Sequence, residues 1–239
     1  MLAPKTDTIL VSFEDAIARI KNAKNVVFTG TPVKIKRKEY TSNEKEKIIK
    51  DVGLRTGQPI VLVFGGSQGA KRINDTLLEI IKSKLNNNYQ IIWATGPKQY
   101  DIIKDELEND KININNVKDI KIMPYIYNME ELMNVVDIIV ARSGAMTITE
   151  IALVGKPAIF IPLPSNSANR QIDNARVLEK LGAAKIILND SVNGVNLAEN
   201  ISDILADEKE MKKMGENARQ IAKYDVEEKI YKEIKGLVK

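Results

Sequence analysis

The residues best able to do chemistry sit where apolar runs meet small or polar residues. The first such place is "FGGSQGA", from Phe64 to Ala70. Gly65 and Gly66 let backbone amides approach a ligand with no Cβ in the way. Ser67 can cap the following helix or donate to a phosphate oxygen, and Gln68 and Gly69 complete the turn. A helix starting here adds unpaired N–H groups and a partial positive charge. A phosphate cradle and a tight strand-to-helix turn with a Ser N-cap both fit. The pattern G-x-x-x-x-G-K-[ST] is absent, so ATP binding in P-loop fashion is excluded. No acidic residue follows at the distance a dinucleotide fold requires, since "IIWATG" ends in Thr95 and Gly96. That spacing argues against a nicotinamide-binding oxidoreductase.

The second place is "RSGAMTITE", from Arg142 to Glu150. Ser143, Gly144 and Ala145 repeat the small-residue entry into a helix. Met146 and Glu150 are four apart and share a helix face. Glu150 lies between Ile148 and Ile151, so it is either solvent-facing or a placed acceptor. Vicinal ribose hydroxyls suit a placed carboxylate, because both can donate to its oxygens. The third place is "PLPSNSANRQIDNA", from Pro162 to Ala175. Asn169, Arg170, Gln171 and Asn174 can read sugar hydroxyls, or can belong to a polar loop with capping residues.

Other chemistries lack their residues. Cysteine and histidine are both absent. Disulfides and thiolate chemistry are excluded, and acid–base work falls to Asp, Glu, Lys or Tyr. There is no Asp-x-Asp to hold a metal on a nucleotide diphosphate, and no metal-ligand spacing.

These turns need a frame to hold them. Apolar runs predict strands at Ile60–Phe64, Gln90–Ala94, Ile120–Met123, Ile138–Ala141, Ala158–Ile161 and Ala184–Ile187. A helix begins near Gly69, with Ile73, Leu77, Ile81 and Leu85 at helical spacing. Others are expected at Pro97–Glu108, Met129–Val136, Ala145–Val154, Ala168–Leu181, Leu197–Ala206, Glu208–Lys223 and Val226–Lys235. Strands that alternate with helices predict an α/β fold, a doubly wound parallel sheet of Rossmann-like type. Ligands of such sheets bind beyond the carboxyl ends of the strands, where the three turns lie.

Ahead of this unit, Thr8–Phe13 and Asn25–Thr29 read as two further strands. Ser12 with Asp15 suggests a capping box opening a helix between them. The charged segment 35–58 reads as a linker with one short helix at most. The expected organisation is residues 1–34, a linker at 35–58, and the main domain at 59–239.

The chain has 239 residues, 44% of them hydrophobic and 28% charged, ordinary values for a globular protein. The net charge is +4. It suits anionic partners without choosing among phosphorylated ligands, an anionic membrane surface and nucleic acid. "MLAPKTDT" has no basic stretch followed by an apolar one, so no signal peptide is expected. No apolar run approaches a membrane span.

Taken in order, "TGTPVK", "VLVFGGSQGAKRIN", "PYIYNMEELM", "VDIIVARSGAMTITEI", "GKPAIFIPLP" and "NRQIDNA" resemble the C-terminal half of the MurG family. Those are GT-B-fold transferases that move GlcNAc from UDP-GlcNAc to undecaprenyl-linked lipid I. The resemblance implies that Gly65–Gly69 faces the diphosphate, with Ser67 a direct donor. It implies that the Ile126 backbone meets the uracil edge, and that Ala145 and Met146 pack near the nucleotide. Glu150 would take the ribose hydroxyls, and Gln171 would contact GlcNAc. Lys34 and Thr31 stand where the family usually has Arg and Asn, and Arg170 where it usually has His or Gln.

The implied donor site needs no metal and no cofactor, and the implied partners include no nucleic acid. The expected location is cytoplasmic, on the inner face of the membrane. Family members carry a further N-terminal domain with a Gly-rich loop ending in His. Residues 1–34 resemble only the end of that domain. The chain is therefore expected to bind the donor and to transfer little by itself. Alternative readings are a separately encoded donor subunit of a split lipid-linked GlcNAc transferase, and a non-catalytic nucleotide-sugar-binding module. The strands of residues 1–34 are apolar and lack sheet neighbours. Self-association there is expected, or pairing with a separate N-terminal domain.

Overall fold

A computed structural model describes residues 3–164 and 171–238. Its centre is a parallel six-stranded sheet of β3 (Ile60–Phe64), β4 (Gln90–Ala94), β5 (Ile120–Met123), β6 (Ile138–Ala141), β7 (Ala158–Phe160) and β8 (Ala184–Ile186). The order is β5-β4-β3-β6-β7-β8. Every residue of β3, β4, β6 and β7 is buried, which is why these strands read as continuous apolar runs and not as alternations.

Successive side chains leave a strand on opposite faces, so the core divides in two. Val61, Val63, Ile91, Trp93, Ile138 and Val140 pack on α2 (Lys71–Ser83), α3 (Pro97–Asn109) and α7 (Gly194–Leu205). Ile60, Leu62, Phe64, Ile92, Ile139 and Phe160 pack on α4 (Met129–Val135), α5 (Ala145–Val154) and α6 (Gln171–Lys180). Two more helices, α8 (Glu208–Arg219) and α9 (Val226–Leu237), end the chain. Within α2 the buried Ile73, Leu77, Ile80 and Ile81 form the stripe that helical spacing predicts. The strand order reverses direction between β3 and β6, which are paired neighbours. A crevice opens there beyond the carboxyl ends of both strands.

The segment 35–58 carries α1 (Ser42–Val52), an 11-residue helix. It opens with a capping box, in which the Thr41 side chain and Glu44 exchange bonds with each other's backbone. Ile35, Val52 and Leu54 are buried in the second core face. This segment is therefore packed against the sheet.

Near the N-terminus, β1 (Ile9–Val11) and β2 (Val26–Phe28) pair only with each other, in parallel, with Ile9 opposite Val26. Between them lies a short 3-10 helix, Glu14–Arg19. Its N-cap is Phe13 and no side chain caps it, so the expected Ser12 capping box does not form. The cap falls one residue later, which leaves Ser12 outside the turn. Among the described residues, no helix is long and apolar enough to cross a membrane.

Candidate functional site

The first turn leaves β3 at Phe64 and enters α2 at Lys71. Two glycines are held by geometry. Gly66 has φ +89° and open space on its Cβ side, whereas Gly69 has φ +77° and would place a Cβ 2.0 Å from the Thr95 carbonyl oxygen. Gly66 thus supplies a left-handed bend, and Gly69 lets the loop pack directly on the β4 exit. The Gly69 N–H closes the turn on the Gly66 carbonyl at 3.0 Å. The helix starts later than the sequence suggested. Its N-cap is Ala70, with no side-chain hydrogen bond, so Ser67 is an exposed loop residue and not the cap. The first N–H groups of α2 are left for solvent or a ligand. Asn74 braces the arrangement from within. Its amide donates to the Thr95 carbonyl at 2.9 Å and its carbonyl accepts from the Trp93 indole at 3.0 Å.

The second turn leaves β6 at Ala141 and enters α5 through Gly144, again with no side-chain cap. Ser143 is fully buried, and its hydroxyl donates to the Gln171 carbonyl at 2.8 Å. Asn174 donates in return to the Ser143 carbonyl at 3.1 Å. These two predicted site residues therefore clamp the second turn to α6. Gln171 accepts from the Leu163 N–H at 3.0 Å, which holds the third turn against the same place.

The three turns meet in a cleft of about 750 Å³, lined by Gly65, Gly66, Gly69, Gly144 and Gln171 among others. That size suits a small-molecule site. The cleft also holds residues the sequence reading passed over. Arg142 is half-buried, and its guanidinium donates to the carbonyls of Ile161 and Pro162 and to the Asn189 side chain, at 2.8, 3.0 and 2.9 Å. Burial pulls its pKa below the usual arginine value. Lys71, Arg72, Thr147 and Asn189 line the walls as well. The only lining carboxylate among the described residues is Asp75, paired with Lys71 at 2.8 Å. Three cations and two uncapped helix N-termini thus face one acid, a surround that favours an anion. The signal for Arg142 was its place directly after the strand, within the "RSGA" turn.

Glu150 lies further along α5, about 9 Å beyond Gly144 at the helical rise. It is half-buried with no hydrogen bond or ion pair among the described residues, and burial pushes its pKa up to about 7. Met146, on the same helix face, is 56% exposed, and Ala145 is half-buried. Ile126 is buried in the loop between β5 and α4. Neither its N–H nor its carbonyl makes a hydrogen bond among the described residues. Lys34 is exposed and does not line the cleft. Asn169 and Arg170 fall outside the described residues.

Residues 60–230 match the glycosyltransferase family 28 C-terminal domain. The chain belongs to glycosyltransferase family 28. A relative from Thermoanaerobacter sp. strain X514 is 38% identical over 229 residues, covering 96% of this chain and 61% of the relative. Another, from Acetivibrio thermocellus, is 38% identical over 241 residues, covering all of this chain and 63% of the relative. Both are named UDP-N-acetylglucosamine--N-acetylmuramyl-(pentapeptide) pyrophosphoryl-undecaprenol N-acetylglucosamine transferase. The chain thus spans somewhat under two thirds of these relatives. Among solved structures, MurG of Acinetobacter baumannii superposes with a TM-score of 0.70 at 24% identity, over 97% of this chain and 61% of that one.

Proposed function

We propose that the cleft is the UDP-GlcNAc site of a family 28 transferase that moves GlcNAc onto undecaprenyl-linked lipid I. The observation that carries this reading is the convergence of two uncapped helix N-termini and the Arg142 guanidinium on one crevice where the strand order of the sheet reverses. A diphosphate there is met by backbone N–H groups and fixed positive charge. Glu150, one helix segment further on, accepts the ribose hydroxyls, and the free backbone of Ile126 reads the base edge. Gln171, at the other wall, faces the sugar. The names of the two relatives support the donor and the acceptor.

In the reaction the acceptor hydroxyl attacks the anomeric carbon, the bond from that carbon to UDP breaks, and the hydroxyl proton passes to a base. The cradle stabilises the charge that grows on the departing UDP, the part a metal plays at other donor sites. The chain has no histidine, so the proton acceptor is not an imidazole of this chain. An undecaprenyl-linked acceptor places the working enzyme at an anionic membrane surface, and the excess of Lys and Arg is compatible with that.

Calorimetry with UDP and UDP-GlcNAc tests the donor assignment. Binding should persist in EDTA and fall about tenfold or more in Arg142→Gln, the loss expected for a charge-assisted contact. Absence of binding at millimolar ligand would refute the donor site. GlcNAc transfer to a lipid I analogue, with and without an added acceptor domain, tests the reaction itself.

A further inference from the structure

A second recess, of about 370 Å³, lies at the opposite edge of the sheet, where the strands begin. Its walls come from distant parts of the chain. The strap Arg37–Tyr40 and Lys45 of α1 form one side, and Asn134 of α4 another. Gly155 and Lys156, between α5 and β7, form the floor with Arg219 at the end of α8. Five of the lining residues are cationic and one, Glu39, is acidic.

Two of the cations are satisfied. Lys38 pairs with Glu130 at 2.8 Å, and Arg37 reaches Glu39 at 3.4 Å. The side chains of Lys45, Lys156 and Arg219 make no hydrogen bond and no ion pair among the described residues. Asp137 attracts Lys156 from a distance, but its own Oδ2 accepts the Ile60 N–H at 2.8 Å. Burial, with Lys45 and Arg37 nearby, holds the Lys156 ammonium down at about 8. The Arg219 side chain lies across Gly155, where a Cβ would sit 2.6 Å from Nη1. Holding unpaired cations around the part-buried Lys156 is unfavourable unless an anion joins them.

We propose that this recess is a second anion site, separate from the cleft above the sheet, and that it takes a phosphate-class oxyanion. The Arg219 fork and the two ammonium groups match phosphate oxygens. Tyr40 is the only aromatic residue in the lining, so the walls suit a compact oxyanion better than a nucleoside. A free phosphate and the headgroup of an anionic lipid share this chemistry. Occupancy would tie the strap and α1 to the α5–β7 turn and to the end of α8. Nothing in this reading depends on what the upper cleft binds.

Pyrophosphate titration followed by amide NMR tests the site. Gly155 and Lys156 should shift saturably, and the signals of Gly65–Gly69 report the upper cleft separately. In Lys45→Gln/Arg219→Gln the dissociation constant read at Gly155 should rise by at least about tenfold, as two charge-assisted contacts are lost. The control Lys47→Gln removes the same kind of charge from α1 outside the recess and should change nothing. If the double variant fails to fold, Lys45→Gln alone, at an exposed helix position, carries the comparison. Sedimentation with phosphatidylglycerol vesicles separates the sources. Pelleting that the double variant abolishes assigns a lipid headgroup, and pyrophosphate binding without pelleting assigns a free oxyanion. No saturable shift at Gly155 and Lys156, or equal affinity in the recess variants and Lys47→Gln, overturns the proposal.

Discussion

Glu150 is the residue whose behaviour should report most directly on the upper cleft. Its folded pKa of about 7 lies above the ordinary glutamate value of 4.5, with burial as the cause. Between those values the folded chain holds a proton that the unfolded chain releases. Stability contributed at this site is therefore greatest below the unfolded pKa, and it declines as pH rises from 4.5 to about 7. With the carboxyl only part-buried, the decline should be about 1–2 kcal/mol. Ligand binding should run the other way. Hydroxyls that donate to the carboxylate favour its charged form, so UDP affinity should strengthen as pH rises through 7. Glu150→Gln should flatten both profiles, raise the melting temperature on the alkaline side, and weaken UDP about 5- to 10-fold. Calorimetry and thermal melts across this range would check it. A wild-type-like pH profile in the Gln variant would remove Glu150 from the ribose. Its place was legible because an acidic residue interrupts an apolar helix four residues after Met146. The role of Arg142 was not legible. Its acceptors, the carbonyls of Ile161 and Pro162 and the side chain of Asn189, lie 19, 20 and 47 residues on. No local pattern connects them.

At the scale of the elements, the glycine turn separates conformational strain from collision. Gly66→Ala meets open space but keeps φ +89°, so it should cost about 1 kcal/mol of stability and leave the fold intact. Gly69→Ala adds a Cβ 2.0 Å from the Thr95 oxygen and should cost about 3 kcal/mol or more, because the loop must leave β4. Asn74→Leu should cost about 1–3 kcal/mol, since it strands the Trp93 indole N–H in the core. Urea unfolding followed by the fluorescence of Trp93, the single tryptophan, ranks the three variants. A Gly69→Ala variant as stable as Gly66→Ala would contradict the close packing of loop on strand. The central strands were legible for a related reason. Buried parallel strands such as β3 carry no polar face to blur their limits. Helix α1 was harder to read, because most of its residues are charged and only Ile48, Ile49 and Val52 touch the core. Its signal was Thr41 followed by Glu44, a local capping pattern that does not depend on an apolar stripe.

Over the whole molecule, the six-stranded sheet is closed by helices on both faces, whereas β1 and β2 stand apart as a sheet of two. The sequence reading foresaw two apolar strands without sheet neighbours, and the structure pairs them only with each other. Their hold on the main domain is narrow. Lys223 sits over the Phe28 ring at 5.4 Å, and Gly30 packs so closely on α9 that a Cβ would come 2.9 Å from Val226. Within β1 only Val11 is buried, while Leu10 is 36% exposed and Ile17, in the following turn, 38%. Two strands do not make a stable sheet by themselves, and both outer edges of this pair present unpaired backbone groups. Amides of β1 and β2 should therefore exchange with solvent orders of magnitude faster than those of β3 and β6. The chain at high concentration should self-associate by adding strands at these edges. Sedimentation velocity over a concentration series should show a reversible rise in mass. Leu10→Lys should suppress it, since a charge on an edge strand blocks pairing while leaving an already exposed position exposed. A wild-type chain that stays monomeric throughout with slowly exchanging β1 amides would show the pair to be self-sufficient. Association that survives Leu10→Lys would place the contact elsewhere.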